Sequence, residues 1–400
     1  MYINSFQFIS APLIIILGFL PVFIVGVKLK LRFVRIILIY LWHTLFTIIY
    51  SFYVISNGGD ALGYFNEALE VDFGTSLGNL GAILPAAFLR EIFDLSFLNI
   101  SLIFGVLGSI GLLFFDVALQ LAVSNKKKWM KRLATLIIFL PSVSFWSAGL
   151  GKDPISFLST CLCLWAALNF NKRYRYIILS IAIMFTVRPH MAGMMVIAFA
   201  VATIMMSGSS LIKKMFLGGG AVVAIVVMVP FALTYAGLGG VVDMEAMSSY
   251  IETRQSYNME GGGAIDIAGM SLSGQLFAYM FRPLIFEANS AFAVAAALDN
   301  LILLFLFLVG GWAMLKGKCS GLGENRVFMW VYALMAWGIL AMTTANLGIA
   351  LRQKWMFAPM LIFLFISVIG RRKPLPPVSQ HLNHAVHASV VYGPGHHRQL

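Results

Sequence analysis

The feature that most constrains this chain is a succession of long apolar runs. Runs of roughly 17 to 25 apolar residues are long enough to cross a bilayer as helices, and they recur along almost the whole sequence. Ten of them lie at about 6–27, 33–55, 98–124, 133–150, 154–170, 190–207, 215–235, 300–316, 327–344 and 355–370. A shorter run at 176–188 brings the number to eleven. The sequence therefore predicts an all-α fold, a polytopic transmembrane helical bundle of about 11 spans.

Composition excludes a soluble globular protein and argues against a nucleic-acid-binding one. The chain is 60% hydrophobic and only 11% charged, whereas soluble domains are about 25% charged. Its net charge of +12 does not indicate a nucleic-acid partner, because the cations cluster between apolar runs as the positive-inside rule expects. Three cysteines do not make a disulfide framework.

The distribution of Lys and Arg predicts how the bundle is oriented. If the N-terminus lies outside, the inner segments hold 21 of the 28 Lys and Arg residues, and the outer segments hold 7. Acidic residues run the other way, with 14 of the 16 on the outer side. Because the Lys and Arg bias sets orientation in membrane proteins, we expect an outer N-terminus and an inner C-terminus.

Two large outer loops and a polar tail complete the predicted organisation. The loops at 56–97 and 236–299 mix Gly-rich turns with helix-compatible pieces, which predicts short helices at the outer surface. Residues 1–373 then form the transmembrane domain. The tail at 374–400 is rich in Pro and His. Its spaced histidines would suit a metal only if helical, and it lacks carboxylates and thiols, so we expect a disordered tail and no metal site.

Cations are rare on the predicted outer side, and five of them lie beside apolar runs: Lys152, Arg188, Arg282, Arg352 and Lys354. A charge near hydrocarbon is costly and usually faces a cavity or a partner. Arginine's planar fork also suits phosphate oxygens. Arg188 and Arg282 each precede a proline, which places them at helix breaks. The five cations therefore favour a shared anionic site, although snorkelling to lipid headgroups explains any one of them equally well.

Three further residues are candidates for acid or base chemistry. Asp60 follows two glycines just after a predicted span, where it suits a general base or equally a helix N-cap. His190 could exchange a proton near neutral pH, or it could serve a structural role at its helix turn. Glu287 lies five residues after Arg282, so it could act as a base or pair with an arginine.

Five short motifs, taken in order, resemble a known class of membrane protein. They are Gly-Gly-Asp60 with Tyr64, Pro141–Trp146 leading to Lys152-Asp153, Arg188-Pro189-His190, Phe281-Arg282-Pro283 with Glu287, and Asn346-Leu347-Gly348 with Arg352-Gln353-Lys354. Together they resemble integral membrane proteins of bacterial surface-polysaccharide clusters, similar to O-antigen and exopolysaccharide polymerases. More distantly they resemble membrane glycosyltransferases of the GT-C type. The resemblance extends over most of residues 56–370.

The resemblance implies a multi-pass glycosyltransferase or polymerase of the bacterial inner membrane, with a periplasmic N-terminus and a cytoplasmic C-terminus. Its substrate would be an undecaprenyl-diphosphate-linked oligosaccharide, transferred at the periplasmic face in O-antigen, capsule or exopolysaccharide synthesis. A chain-length regulator or other polysaccharide-assembly proteins would be its partners. No organic cofactor is implied. Asp60 has no adjacent acid, unlike the acidic pair of many GT-C enzymes, so a divalent metal stays open.

The resemblance also implies roles for individual residues. The diphosphate would be bound by cations, namely Lys152, Arg188, Arg282, Arg352 and Lys354. The catalytic base would be one of Asp60, His190 and Glu287. Tyr64 and Asn346 would position the substrate.

Three other functions remain open at this point. One is a GT-C glycosyltransferase that uses a polyprenyl-phosphate sugar, and another is a transporter or flippase of lipid-linked sugars. Transporters often contain internal repeats and helices broken at the membrane midplane. This sequence shows no repeat, and its polar residues concentrate at the outer face. The third is a non-catalytic scaffold of a secretion complex.

Overall fold

The computed structural model describes residues 5–68, 77–205, 269–318 and 325–370, with a few isolated positions between 212 and 265. Within these residues every regular element is a helix and there is no β-strand, which confirms the all-α prediction. The predicted tail at 374–400 lies outside the described residues, as does most of the second predicted loop before residue 269.

Within the described ranges, the elements follow one another along the chain with short connections. Ten helices precede residue 206: α1 Ser5–Lys28, α2 Phe33–Asn57, α3 Asp60–Glu67, α4 Leu77–Phe93, α5 Phe97–Val123, α6 Lys128–Ile138, α7 Pro141–Trp146, α8 Lys152–Ala167, α9 Phe170–Val187 and α10 Pro189–Met205. The later part contains α11 Leu272–Phe281, a 3-10 helix Ile285–Glu287, α12 Ala291–Leu315, α13 Arg326–Thr343, α14 Leu347–Gln353, a 3-10 helix Lys354–Met356 and α15 Ala358–Val368. Short helices were predicted for 56–97, and α3 and α4 lie there.

Five of the described helices are long and apolar enough to cross a membrane: α1 from Ile9, α2, α5, α12 and α13. A sixth candidate is a bent pair, in which Leu347–Met356 meets α15 at an angle of 66°. Their mean hydropathy reaches 2.5 in α1 and α12. The chain is therefore a membrane-embedded helical protein.

The described residues do not reach the predicted number of about 11 spans. The apolar run at 133–150 is two short helices, because Pro141 begins α7 and keeps Leu140 extended. Helices α8 and α10 have 16 and 17 residues, fewer than a membrane-crossing helix usually needs. Most of the run at 215–235 lies outside the described residues. Apolar composition alone could not show where these runs break.

Helix α5 lies at the centre of the first half of the bundle and packs against α1, α2, α6 and α8. Close approach requires small residues on its surface. A Cβ atom on Gly108 would lie 2.3 Å from the carbonyl oxygen of Ser147, so glycine is needed there. In the second half, α15 is buried on every side, as expected of a helix that is apolar all round.

Large apolar side chains cover the outside of the bundle. On α1, Ile9 and Ile16 are exposed, and on α12, Leu308 and Leu315 are exposed. Contiguous apolar surface of this kind marks a membrane or protein contact. On these helices it matches the lipid-facing side of a transmembrane bundle.

Buried charges join the helices at one end of the molecule. The fully buried carboxylate of Asp116 in α5 accepts two hydrogen bonds from Arg35 in α2, each of 2.5 Å. Lys126 follows α5 and donates to three carbonyl oxygens at the C-terminal end of α15, at 2.5 to 2.8 Å. A cation is favourable at a helix C-terminus because the last carbonyl groups are otherwise unpaired.

Candidate functional site

Segments far apart in sequence bring charged side chains together at the opposite end of α2. Asp153, in the first turn of α8, accepts a hydrogen bond of 2.7 Å from Arg188, which lies between α9 and α10. The other oxygen of the same carboxylate lies 3.3 Å from Nε of Arg352 in α14. With Asp60 and Lys152, these residues form what we call the Asp153 cluster.

Arg352 bridges two carboxylates in this cluster. Its Nη1 donates to Oδ2 of Asp60 at 2.7 Å, in addition to the contact with Asp153. Because Arg188 and Arg352 share Asp153, their guanidinium groups lie within about 8 Å of each other, given ordinary bond lengths. Two phosphoryl groups of one diphosphate could therefore contact both arginines.

Two glycines at the start of α3 place the charge of Asp60. Gly58 and Gly59 have φ angles of 78° and 144°, which glycine adopts readily, and they turn the chain directly from α2 into α3. Asp60 is thereby the first residue of α3, while Gly59 occupies the N-cap position. The N-cap interpretation of Asp60 is therefore not realised. Its carboxylate binds Arg352 instead.

Two cations of the cluster form ion pairs with its carboxylates, Arg188 and Arg352. The side chain of Arg188 is the more buried of the two. The backbone of Arg188 leaves the helical conformation, as expected before Pro189, and its side chain is only 11% exposed. Its Nε and the hydroxyl of Tyr279 are both buried, and among the described residues neither has a hydrogen-bond partner. Tyr279 lies close enough to interact electrostatically with Arg188. Buried polar groups without partners are uncommon, and these two are suited to a polar, anionic ligand.

Lys152 and Tyr64 form the wall of the cluster next to α3. The ammonium of Lys152 lies 5.7 Å from the centroid of the Tyr64 ring, within the range of a cation–π contact. Burial, with the charge of Arg188, lowers the pKa of Lys152 to about 8, although Asp153 and Asp60 oppose the shift. Lys152 is thus a cation at neutral pH whose charge is lost at moderately alkaline pH.

Asp60 is the exposed carboxylate of the cluster. Its side chain is 57% exposed. Burial acts to raise its pKa, but the nearby Arg352, Arg188 and Lys152 outweigh burial, so the pKa lies below its usual value. Asp60 is therefore ionised at neutral pH and accessible to solvent. With two carboxylates and three cations, the cluster has a net charge of about +1, which favours an anionic ligand.

Arg282 and Glu287 form a second, separate ion pair between α11 and α12. Nε and Nη2 of Arg282 both lie 2.8 Å from Oε1 of Glu287. The other oxygen of Glu287 accepts the backbone N–H of Leu284 at 2.8 Å. Glu287 is thus paired with an arginine, which was one of its two expected roles, and among the described residues no hydrogen bond or ion pair links it to the Asp153 cluster.

Lys354 lies inside the bundle, although it is only two residues from Arg352. Its side chain is fully buried and donates to Oδ1 of Asn300, whose amide donates to the carbonyl oxygen of Pro283 at 3.1 Å. The neighbouring Asp299 accepts the backbone N–H of Ser142 at 2.7 Å. Lys354, Asn300, Asp299 and Ser142 form what we call the Lys354 node. Residues two apart on a helix face different directions, which separates Lys354 from the cluster.

The two remaining predicted residues are close in sequence to residues of the cluster. Asn346 is the N-cap of α14, and its Oδ1 accepts the backbone N–H groups of Gly348 and Ile349 at 2.8 and 3.3 Å. Asn346 therefore fixes the start of the helix that carries Arg352. His190 is half-buried at the second position of α10, two residues after Arg188.

Two residues of this site, Asp153 of the cluster and Tyr279 beside Arg188, were not among the predicted site residues. The sequence indicates no role for Asp153 beyond its place in a motif, yet it joins Arg188 to Arg352. Its position beside Lys152 on the acid-rich side was the available signal. Tyr279, three residues before Arg282, gave no signal in the sequence, because nothing there shows that α11 packs near Arg188.

The geometry suits the binding of a polyanion next to an ionised carboxylate. Within the part of the chain that the structure describes, no group of three or more His, Cys, Asp or Glu residues could hold a metal ion. Comparison with known proteins adds no family assignment, because no protein-family model, curated protein or solved structure matches this chain.

Proposed function

We propose that this protein is a membrane glycosyltransferase or polymerase that transfers oligosaccharide units from a lipid diphosphate, and that the Asp153 cluster is its active site. The observation that carries the proposal is the bridging of Arg188 and Arg352 by one carboxylate at an end of a transmembrane bundle. The motifs that resemble polysaccharide polymerases supply these residues. Their order in the sequence supports the same assignment.

The leaving group explains why two fixed arginines are needed. A diphosphate gains negative charge as the bond to the sugar breaks, so donors fixed in advance stabilise the transition state. Arginine binds two phosphate oxygens with its planar fork. Asp153 holds both guanidinium groups in place before substrate arrives. Lys152 adds a third cation to the same site.

Asp60 is the proposed general base for the acceptor hydroxyl. It is ionised and exposed, and it contacts Arg352 directly. A phosphate that binds Arg352 competes with Asp60 for that guanidinium, and loss of this cation raises the pKa of the carboxylate. Donor binding thereby makes Asp60 a stronger base when the acceptor must be deprotonated. Glu287 is less suited to this role, because Arg282 already binds it.

The proposed setting is a bacterial inner membrane, with the cluster on the periplasmic side. Supporting this, α3, α8 and α14 contribute Asp60, Asp153 and Arg352, and the distribution of Lys and Arg predicts an outer position for all three. The substrate would be an undecaprenyl-diphosphate-linked oligosaccharide. The shorter helices α8 to α10 would extend part of the way through the membrane beside the longer spans.

Reconstituted transfer tests the proposal. Purified protein in liposomes would be supplied with an undecaprenyl-diphosphate-linked oligosaccharide, and products would be separated on a gel. We expect Asp60→Asn to abolish transfer while donor binding is retained, because the carboxylate acts after binding. Glu67→Gln is the matched control, since Glu67 is an exposed acid on the same helix α3. Full transfer by Asp60→Asn would reject the base assignment, and no transfer by the native protein would reject the function.

A transporter or flippase of lipid-linked sugars is the second candidate. The specific observation in its favour is the 66° bend between Leu347–Met356 and α15, since broken helices are common at transport sites. Movement of a fluorescent lipid-linked sugar between leaflets, without any new glycosidic bond, would favour this alternative.

A further inference from the structure

Helix α6 carries a cluster of cations that the proposed active site does not use. Lys128, Lys131 and Arg132 are exposed, whereas Met130 and Ile137 are fully buried on the opposite face. A helix with one cationic and one apolar face is typical of a segment that lies in a membrane interface. Lys127, just before α6, is exposed as well.

A shallow groove of about 500 Å³ lies along this helix and is lined by Lys131, Arg132, Thr135, Leu136 and Phe139. Lys131 and Arg132 lie nearer the start of α6, and Leu136 and Phe139 lie about one to two turns further along the chain. Leu136 is 50% exposed, although it is a large apolar residue. The lining contains no acidic residue. The lining surface is almost wholly apolar, and two exposed cations, Lys131 and Arg132, belong to it. The groove therefore offers an apolar surface beside two positive charges, as the glycerol–acyl region and the phosphate of a phospholipid require.

The back of the groove is fixed by the Arg35–Asp116 ion pair. Nη2 of Arg35 donates to Oγ1 of Thr135 at 3.3 Å. The carboxylate of Asp116 binds Arg35 with two hydrogen bonds, so the charge of Arg35 is compensated. The uncompensated charge at the groove consists of Lys131 and Arg132.

The groove and the Asp153 cluster lie at opposite ends of the bundle. Arg35 is near the start of α2, and Asp60 follows its end. The 25 residues of α2 extend about 37 Å at 1.5 Å per residue. The hydrocarbon core of a bilayer is about 30 Å thick, so the groove lies at the membrane surface opposite to the cluster. An exposed Trp129 on α6 is also typical of the interface.

We propose that this groove binds the headgroup of an anionic phospholipid, with Lys131 and Arg132 on the phosphate and with Leu136 and Phe139 against the glycerol and upper acyl chain. Charge complementarity and the exposed apolar edge at membrane level favour a lipid over a soluble anion. The proposal is independent of the glycosyl-transfer function. It concerns the opposite surface of the molecule.

Native mass spectrometry of the purified full-length protein tests this proposal. Detergent-solubilised protein would be titrated with phosphatidylglycerol or phosphatidylcholine, and the retained lipids would be counted. We expect preferential retention of phosphatidylglycerol and roughly a tenfold loss of that preference in K131Q/R132Q, since each cation near an anionic lipid contributes to binding. The swapped variant K131R/R132K should keep the preference because it keeps both charges.

A matched control removes two cations elsewhere. Lys172 and Arg175 are exposed at the start of α9, so K172Q/R175Q lowers the net charge equally without touching the groove. It should retain phosphatidylglycerol within about twofold of the native protein, given the short range of such interactions. Equal retention of both lipids by the native protein, an equal loss in both double variants, or displacement by millimolar inorganic phosphate would overturn the proposal. Unfolding curves in phosphatidylcholine would confirm that all variants are folded.

Discussion

Arg352 and Lys354 are two residues apart, yet the structure places them in environments with opposite properties. Arg352 lies in the Asp153 cluster, where two carboxylates bind it and one of them is exposed. Lys354 lies in the Lys354 node, fully buried against the neutral amide of Asn300. Both had been predicted to bind the same diphosphate.

The difference shows what a cation needs in order to bind a substrate. Arg352 is held partly by the solvent-accessible carboxylate of Asp60. It can exchange that carboxylate for phosphate oxygens, because both are anionic partners of the guanidinium group. A buried ammonium surrounded by packed helices has no route to a ligand, and breaking its contacts costs several kcal/mol. We therefore assign ligand binding to the Asp153 cluster and helix docking to the Lys354 node.

The largest expected effect is on the rate of glycosyl transfer. It should be large for a variant of the Asp153 cluster and small for a variant of the Lys354 node. Arg352→Gln should lower glycosyl transfer about 100-fold, the usual cost of losing one preorganised donor. Lys354→Met should keep transfer within about threefold, since methionine fills similar volume in the core. Initial rates in liposomes, with equal amounts of folded protein, measure both. Loss of activity in Lys354→Met alone would reverse our assignment of the two cations.

The two carboxylates of the cluster should contribute differently to the free energy of unfolding. Asp153 bridges two arginines and is only 16% exposed, so Asp153→Asn should lower the free energy of unfolding by about 2 kcal/mol. Asp60 is mostly exposed, and Asp60→Asn should cost less than about 1 kcal/mol. Chemical unfolding in the same detergent compares them. Equal costs would show that Asp153 does not hold the cluster together.

The hydrogen bond between Lys354 and Asn300 should be measurable as a coupling energy in the free energy of unfolding. Lys354→Met leaves the Oδ1 atom of Asn300 unpaired, and Asn300→Leu leaves the ammonium unpaired, so each single variant should be destabilised. The double variant should be destabilised less than the sum, with a coupling energy of about 1 kcal/mol. Strict additivity in a double-mutant cycle would contradict the hydrogen bond between the two side chains.

The smallest expected effect is a pH dependence of anion binding. The pKa of Lys152 is about 8, lowered from 10.5 mainly by burial. Its positive charge is therefore present at neutral pH and lost as the pH rises through 8, so pyrophosphate binding should weaken severalfold in that range. Lys152→Gln should bind more weakly at neutral pH and lose this pH dependence. A profile that is identical in the two proteins would exclude Lys152 from the site.

Much of the architecture could be predicted from the sequence, because the length of each apolar run and the Lys and Arg residues beside it can be read from that segment alone. The all-α class follows from the apolar runs. Asp60, Lys152, Arg188 and Arg352 were placed on one side by counting cations, and the structure brings these four together. The motif resemblance and the distribution of charges predict that these four residues lie on the same side of the membrane. They do not show what each residue does, so the roles of the four residues are proposals.

The rest depends on packing that no single segment encodes. The direction of Lys354 follows from the turn that continues α14, and a linear sequence does not show which side of that turn faces the core. The break at Leu140 and Pro141 interrupts a run that is apolar throughout. The bridging role of Asp153 needs α8, α10 and α14 to meet, which is a long-range property of the bundle.

Binding of a lipid diphosphate to the Asp153 cluster tests the central claim most directly. The full-length protein in nanodiscs would be titrated with undecaprenyl diphosphate. The native protein would be compared with Arg188→Gln, Arg352→Gln and the control Arg282→Gln, which removes an arginine that pairs with Glu287 instead. We predict at least about tenfold weaker binding for the first two, each of which loses a charge-assisted contact, and near-native binding for the control. Equal affinity in all four proteins would contradict the claim that the Asp153 cluster holds the diphosphate.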